Sequence, residues 1–504
     1  MQVVLRQCLT LLLSLAVSAC SAGAREPVKG SNVAGPSAVT IASVRPKRWL
    51  LHAFQQLVAD SKRSVGHTYT ASYVGPERIE KSIELPPTYG PGWSPDGHWL
   101  ALCSPAPSSH TEQDVRQLLA IRFDAEQTSD PVPLGECTSF AWSPVGQRLL
   151  IQNRTAWRLA DFSAQPPRQI PIAEELVGPV AWSPNGRRIL ANSTDSARDL
   201  RVIQAAEPTP RVEALDIDRA SWRGCRWSPQ DALACVVATP PGVTLQIRYA
   251  NPTTPTRHPL QSRVWSFDWA TENTLVYQLQ DTGAVFALQA GTATPLFTPG
   301  DLLGNDYQGL SPRGSWLLDT VSRHVRIWNL GNGVTSNDVP GLTGLLLNPR
   351  WSPNGQHALV GVQHPRTRTL QTDVWLVAHA TQNAQVARIA TVQAGQATSS
   401  QFSPGSQWVF VTTGPDVISL AGSGSANPTT ATMRWTAVHV ATRANEPLPP
   451  GIGAWAPDDS AFATMDPDRE RLLVVRVRGA AFAEPEVVRN AESPVPNLIW
   501  QPGP

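Results

Sequence analysis

Beyond about residue 86 the hydrophobic positions fall in short runs, each closed by Pro, Gly, Asn or Asp, and no run sustains a helical period. One stretch shows the grammar. Val180-Ala181-Trp182 reads as a short strand, Ser183-Pro184-Asn185-Gly186 as a tight turn, and Arg188–Ala191 as a second strand. Elsewhere a third strand follows at about ten residues, as in Val325–Trp328 or Asp373–Val377, and a weaker fourth, as in Ala387–Ala390. Two upstream segments differ. Leu9–Val17 is a mostly apolar stretch, and Trp49–Ala59 carries apolar residues at helical spacing without Gly or Pro, which predicts a short amphipathic helix.

The turn recurs. WSPDG at 93–97 is followed by WSPVG at 142–146, WSPNG at 182–186, WSPQD at 227–231, WATEN at 269–273 and LSPRG at 310–314. WSPNG at 351–355, FSPGS at 402–406, WAPDD at 455–459 and WQPG at 500–503 complete the series. The aromatic positions are Trp93, Trp142, Trp182, Trp227, Trp269, Trp351, Phe402, Trp455 and Trp500, with Leu310 in phase. Intervals of 49, 40, 45, 42, 41, 41, 51, 53 and 45 residues match a four-stranded propeller blade. A single blade cannot bury both faces, so the units must stack around an axis, with the motif aromatics at the blade-to-blade contacts.

The array resembles the TolB-type, WD-repeat-like propeller family of bacterial envelope proteins, whose repeat is written around W-S-P-D-G, over about residues 86–503. It departs from TolB in leaving only residues 48–86 where that protein has a sizeable α/β domain. It departs from eukaryotic WD repeats in lacking their Gly-His and Trp-Asp signatures. The expected fold is therefore all-β: a propeller of eight to ten four-stranded blades, as one ring or two smaller ones, preceded by a short helix and a flexible tether. Residues 66–73 and 77–85 are candidates for outer strands beside Asn497–Trp500, closing the ring with both chain ends and giving ten blades.

The N-terminus reads as an address. Arg6 precedes the apolar stretch, which is too short to span a bilayer, and Leu15-Ala16-Val17-Ser18-Ala19-Cys20 resembles a lipobox. The expected organisation is a lipoprotein signal peptide over 1–19, a lipidated Cys20 with a small-residue tether over 20–47, a helix and ring-closing strands over 48–86, and the propeller over 87–504. That places the protein outside the cytoplasm, lipid-anchored to the cell membrane or outer membrane.

Composition narrows the function. Forty-one Lys+Arg balance 40 Asp+Glu, which argues against a nucleic-acid partner, and 46 prolines argue against a helical fold. No G-x-S-x-G occurs; Gly422-Ser423-Gly424-Ser425-Ala426 lacks the final Gly. The ten histidines are dispersed, and His98 and His357 follow motif turns as strand-edge residues. Asp466–Glu470 lacks the spacing of a calcium loop, and Asp96 and Asp458 sit where Asp caps turn amides. No catalytic, metal or cofactor residues are assigned. Cys225 and Cys235 flank one hairpin and are the preferred disulfide, leaving Cys103 and Cys137 to pair by elimination; four buried thiols are the alternative. The sequence points to a non-catalytic module of the cell envelope that binds a protein or envelope-polymer partner. The alternative is a propeller lyase or hydrolase acting on an extracellular glycan with axial residues from several blades.

Overall fold

The computed structural model describes residues 48–54 and 68–502, less a set of loop segments, the longest being 106–115, 298–308 and 416–433. Ten antiparallel sheets form ten blades in a ring. Their first strands are Pro494–Trp500 (blade 1), Pro91–Trp93 (2), Ser139–Trp142 (3), Leu176–Trp182 (4), Cys225–Trp227 (5) and Val264–Trp269 (6). In blade 7 a bridge at Leu310 takes that place, and Leu345–Trp351, Gln396–Phe402 and Ile452–Trp455 open blades 8, 9 and 10. Every motif aromatic thus ends a first strand, and the S-P-x-G turn leads directly into the second.

Blade 1 is assembled from both chain ends. Pro494–Trp500 pairs with Arg48–Phe54, which pairs with Thr68–Val74 and then Ile79–Glu84. This corrects the helix expected over Trp49–Ala59. Residues 48–54 are a strand, and 55–59 lie outside the described residues. The physical reason is burial on both faces. Trp49 and Leu51 pack towards blade 2 while Leu50 packs towards blade 10, and a short apolar run buried on two sides fits a helix and a blade's second strand equally well.

Burial is organised between blades. Ten apolar clusters occur among the described residues, one for each of the ten interfaces, including a cluster of Leu50, Ala461, Val474 and Trp500 that joins blade 10 to blade 1. That last cluster makes one ring of the array. Fourth strands carry most of the exposed positions, as in Thr292–Phe297 and Thr335–Thr343, so they form the perimeter and the first strands face the axis.

The motif serine explains the turn. Ser94, Ser183, Ser352 and Ser403 are fully buried, and each hydroxyl accepts the backbone N–H five residues on, at 2.9–3.0 Å. The fifth motif position is left-handed: Gly186 has φ of 66°, and Asp231, Ser406 and Asp459 take the same conformation at 64°, 64° and 59°. A side chain there is strained. Each of the three reaches back to the preceding blade. Asp231 lies 3.5 Å from the Arg188 guanidinium, and Ser406 Oγ accepts the Asn354 N–H at 3.1 Å. Asp459 accepts the Ser403 hydroxyl at 2.6 Å and the N–H groups of Gly405 and Gln407 at 2.8 and 3.1 Å. Burial pushes the Asp459 carboxyl above the usual range, against the pull of those three donors.

Cys225 and Cys235 are cross-strand partners in blade 5 with Cα atoms 4.1 Å apart, and their sulfurs are joined. Cys103, in the second strand of blade 2, is joined to Cys137, which lies beyond that blade's fourth strand on the way into blade 3.

Candidate functional site

The axial opening is where a propeller presents one side chain per blade, and the residue before each motif aromatic defines that layer. Going round from blade 1, the positions are Ile499, Gly92, Ala141, Ala181, Arg226, Asp268, Gly309, Arg350, Gln401 and Ala454. Six of their backbone carbonyls have a shared task. The indole N–H of the next blade's motif tryptophan donates to them: Trp142 to Gly92 (2.9 Å), Trp182 to Ala141 (3.3 Å), Trp227 to Ala181 (3.2 Å), Trp269 to Arg226 (3.1 Å), Trp351 to Gly309 (2.7 Å) and Trp500 to Ala454 (2.9 Å). This places the motif tryptophans between blades and fixes the inner strands relative to one another. Leu310 and Phe402 carry no indole. The Trp93 and Trp455 indoles make no such bond and pack in aromatic clusters instead, with Phe123 at 4.8 Å and Phe410 at 4.8 Å.

With the carbonyls committed to this scaffold, the side chains of the layer are left to vary. They divide it in two. Blades 10, 1, 2, 3 and 4 offer Ala454, Ile499, Gly92, Ala141 and Ala181, all small or apolar and half-buried. Blades 5, 6, 8 and 9 offer Arg226, Asp268, Arg350 and Gln401, all exposed, with the half-buried Gly309 of blade 7 among them. Both flanks of an inner strand are covered by neighbouring blades, so these exposed groups face the axial opening.

One aromatic joins the polar arc. The first strand of blade 6 shifts register between Val264 and Ser266, so Trp265 is an extra residue opposite Leu279 and Gln278. In a regular ladder Trp265 would share the face of Phe267 and Trp269, both buried in the blade 5–6 core. The bulge instead leaves its indole 49% exposed. The Arg226 guanidinium of blade 5 stands 5.9 Å from the Phe267 ring, between Trp265 and Asp268 along that strand. Asp268 Oδ1 accepts the Trp269 N–H at 2.8 Å, which holds the carboxylate beside the strand.

The arc is wide. The inner strands of blades 5 and 6, and those of blades 10 and 1, approach within 8 Å, Cα to Cα. Ten such strands enclose an opening on the order of 25 Å between opposite backbones, since blades stack no closer than about this spacing. A pocket-sized ligand would touch only one arc of it.

The residues weighed from the sequence lie elsewhere. Cys20, Gly422–Ala426 and the loop residues 467–470 are outside the described residues. Asp96 accepts the His98 N–H at 3.1 Å and Asp458 the Ser460 N–H at 3.1 Å, both as turn caps. Asp458 also pairs with Arg48 at 3.1 Å, tying blade 10 to the closing strand. His98 is exposed beside its turn, while His52 is buried in blade 1 with its Nε2 3.0 Å from Ser72 Oγ. No group of three or more His, Cys, Asp or Glu side chains among the described residues could hold a metal. A small cleft between blades 4 and 5, lined by Arg188, Glu213 and Trp227, is taken up by structural contacts: Arg188 bonds Asp231 and lies 5.5 Å over the Trp227 ring. The axial residues were not singled out from the sequence. Aligning the repeats on their aromatic would have exposed four of them, because the preceding residue is Gly or Ala in five copies and Arg, Asp or Gln in these.

No protein-family model and no curated protein matches the chain. Among solved structures it is similar to the dihydro-heme d1 dehydrogenase NirN in complex with DHE, at 12% identity and a TM-score of 0.34, covering 66% of this chain and 71% of that one. It is also similar to the tricorn protease, at 11% identity and a TM-score of 0.33, covering 85% of this chain and 46% of that one. Likenesses this distant carry no argument about activity. The functional reading rests on the axial arc itself.

Proposed function

We propose that the protein is a lipid-anchored, extracytoplasmic propeller of the bacterial envelope that acts as a non-catalytic binding module, engaging a macromolecular partner through the polar arc of blades 5–9. The observation that carries this reading is the division of the inner layer: Arg226, Asp268, Arg350 and Gln401 exposed on one side, small or apolar residues on the other. The width of the opening adds weight, because residues on opposite blades lie too far apart to converge on one reacting bond. The W-S-P-D-G array and the lipobox-like segment ending at Cys20 support an envelope location, in line with the resemblance to TolB-type propellers.

The test is recovery of partners from solubilised envelope by the full-length protein and by an Arg226→Glu/Arg350→Glu variant. A reproducible macromolecule held by the native protein and released by the variant is expected. Equal recovery by both, or none by either, would remove the reading. Cys20→Ser should move the protein from the membrane fraction to the soluble one; unchanged fractionation would remove the anchor.

A further inference from the structure

We infer that the arc around Trp265 is a saccharide-binding site, whose ligand is a glycan chain running along the inner strands from blade 5 towards blade 9. The inference rests on the binding-module reading and names the class of partner. Three observations carry it. The bulge at Trp265 withdraws a large apolar side chain from the interblade core, where its strand neighbours Phe267 and Trp269 are buried, and turns it to solvent. Bulges of this kind re-aim side chains beside functional sites.

The surroundings of the indole are polar. The Arg226 guanidinium stands against the Phe267 ring, two residues along the strand from Trp265, Asp268 is three residues along, and Arg350 and Gln401 stand in the same layer on blades 8 and 9. The other large apolar side chains exposed among the described residues are Val145, at a turn tip of blade 3, and Val487, on an outer strand of blade 10. A protein interface needs a contiguous apolar core behind its polar rim, and the described part of the arc does not supply one.

A pyranose ring fits what is there. Its C–H face is apolar and stacks on an aromatic π face, whose negative quadrupole attracts polarised C–H bonds. Its equatorial rim is a ring of hydroxyls, each both donor and acceptor. Planar side chains with paired hydrogen-bonding atoms, such as a guanidinium, a carboxylate and a carboxamide, each take two neighbouring hydroxyls. The layer presents Arg, Asp, Arg and Gln in that order on blades 5, 6, 8 and 9, with Gly309 of blade 7 between the two pairs, an extended set of polar contacts suited to a chain and too long for a single monosaccharide. The wide opening gives a polymer room to enter without threading a narrow pore.

The experiment is titration calorimetry of the full-length protein in detergent with two probes, a hexasaccharide of N-acetylglucosamine and one of galacturonate. Saturable binding of either, weakened at least about tenfold by Trp265→Ala and unchanged by Val145→Ala on the turn face, is expected. No binding of either probe at millimolar concentration, or binding that Trp265→Ala leaves intact, would overturn the inference. Trp265 is half exposed, so the variant should fold; an unchanged melting temperature checks this. If saccharides fail while envelope capture still depends on Arg226 and Arg350, the ligand class falls and the module reading stands. If both fail, the reading falls as well.

Discussion

The two halves of the inner ring are made from the same position of the same repeat, yet one is smooth and the other is chemical. In blades 10 to 4 the residue before the motif aromatic serves through its backbone alone, and Gly, Ala or Ile suffices there. In blades 5, 6, 8 and 9 Arg226, Asp268, Arg350 and Gln401 stand at that same position, and the carbonyl of Arg226 still receives the next blade's indole. The scaffold therefore does not depend on the side chain, which leaves that position open to binding residues at little structural cost. Separate groups should accordingly control stability and binding.

The largest effect expected lies in the framework. Phe410 is fully buried among Trp455 (4.8 Å), Phe462 (5.2 Å) and Trp435 (5.7 Å), so Phe410→Ala should cost about 3–5 kcal/mol. An apparent melting temperature at fixed scan rate is the readout, since a ring of this size is prone to irreversible unfolding. A shift no larger than that of Val145→Ala would mean that the aromatic core does not hold blades 9 and 10 together. The Cys225–Cys235 bridge closes a loop across a sequence separation of 10. Replacing both cysteines by Ala should cost about 2–3 kcal/mol, and denaturant melts with and without reductant check it. No loss would mean that the thiols act as small apolar residues.

A subtler pair separates the indole bond from the indole's bulk. Trp182→Phe deletes the donor to Ala141 and should lose about 1 kcal/mol. Trp93→Phe deletes an N–H with no acceptor and should lose less, or gain. Equal losses would show that the bonds round the inner ring contribute nothing beyond packing.

The turn ring should respond to acid in a defined direction. The Asp459 carboxyl takes up its proton more readily in the folded chain than in the unfolded one, chiefly because it is buried. Its contribution is therefore greatest below the unfolded value of about 3.9 and is lost as pH rises through the folded one. The advantage in melting temperature of the native protein over Asp459→Asn should narrow as pH is raised from about 4, then level off. A widening gap would reverse the assignment.

The smallest effect on stability belongs to the site. Trp265→Ala and Arg350→Gln should stay within about 0.5 kcal/mol of the native protein while partner capture falls. Substantial unfolding by either would place that side chain in the framework and end the contrast between the two arcs.

The sequence by itself determined the repeat, its strand order and the turn chemistry, and bounded the blade count at eight to ten, because Pro, Gly and short apolar runs are local constraints that any copy must satisfy. It also put Cys225 opposite Cys235, since a hairpin's register follows from its turn. Three things needed the tertiary structure. Trp49–Ala59 read as a helix because its apolar residues fit a helical spacing without Gly or Pro; only a blade packed on each face of residues 48–54 made that part a strand. The serine of the motif looked like a turn former and proved to be a buried acceptor, a role set by the hydrogen it meets five residues on. The exposure of Trp265 depends on one extra residue in a ladder, and register is a property of two strands together, so one strand's residues do not disclose it.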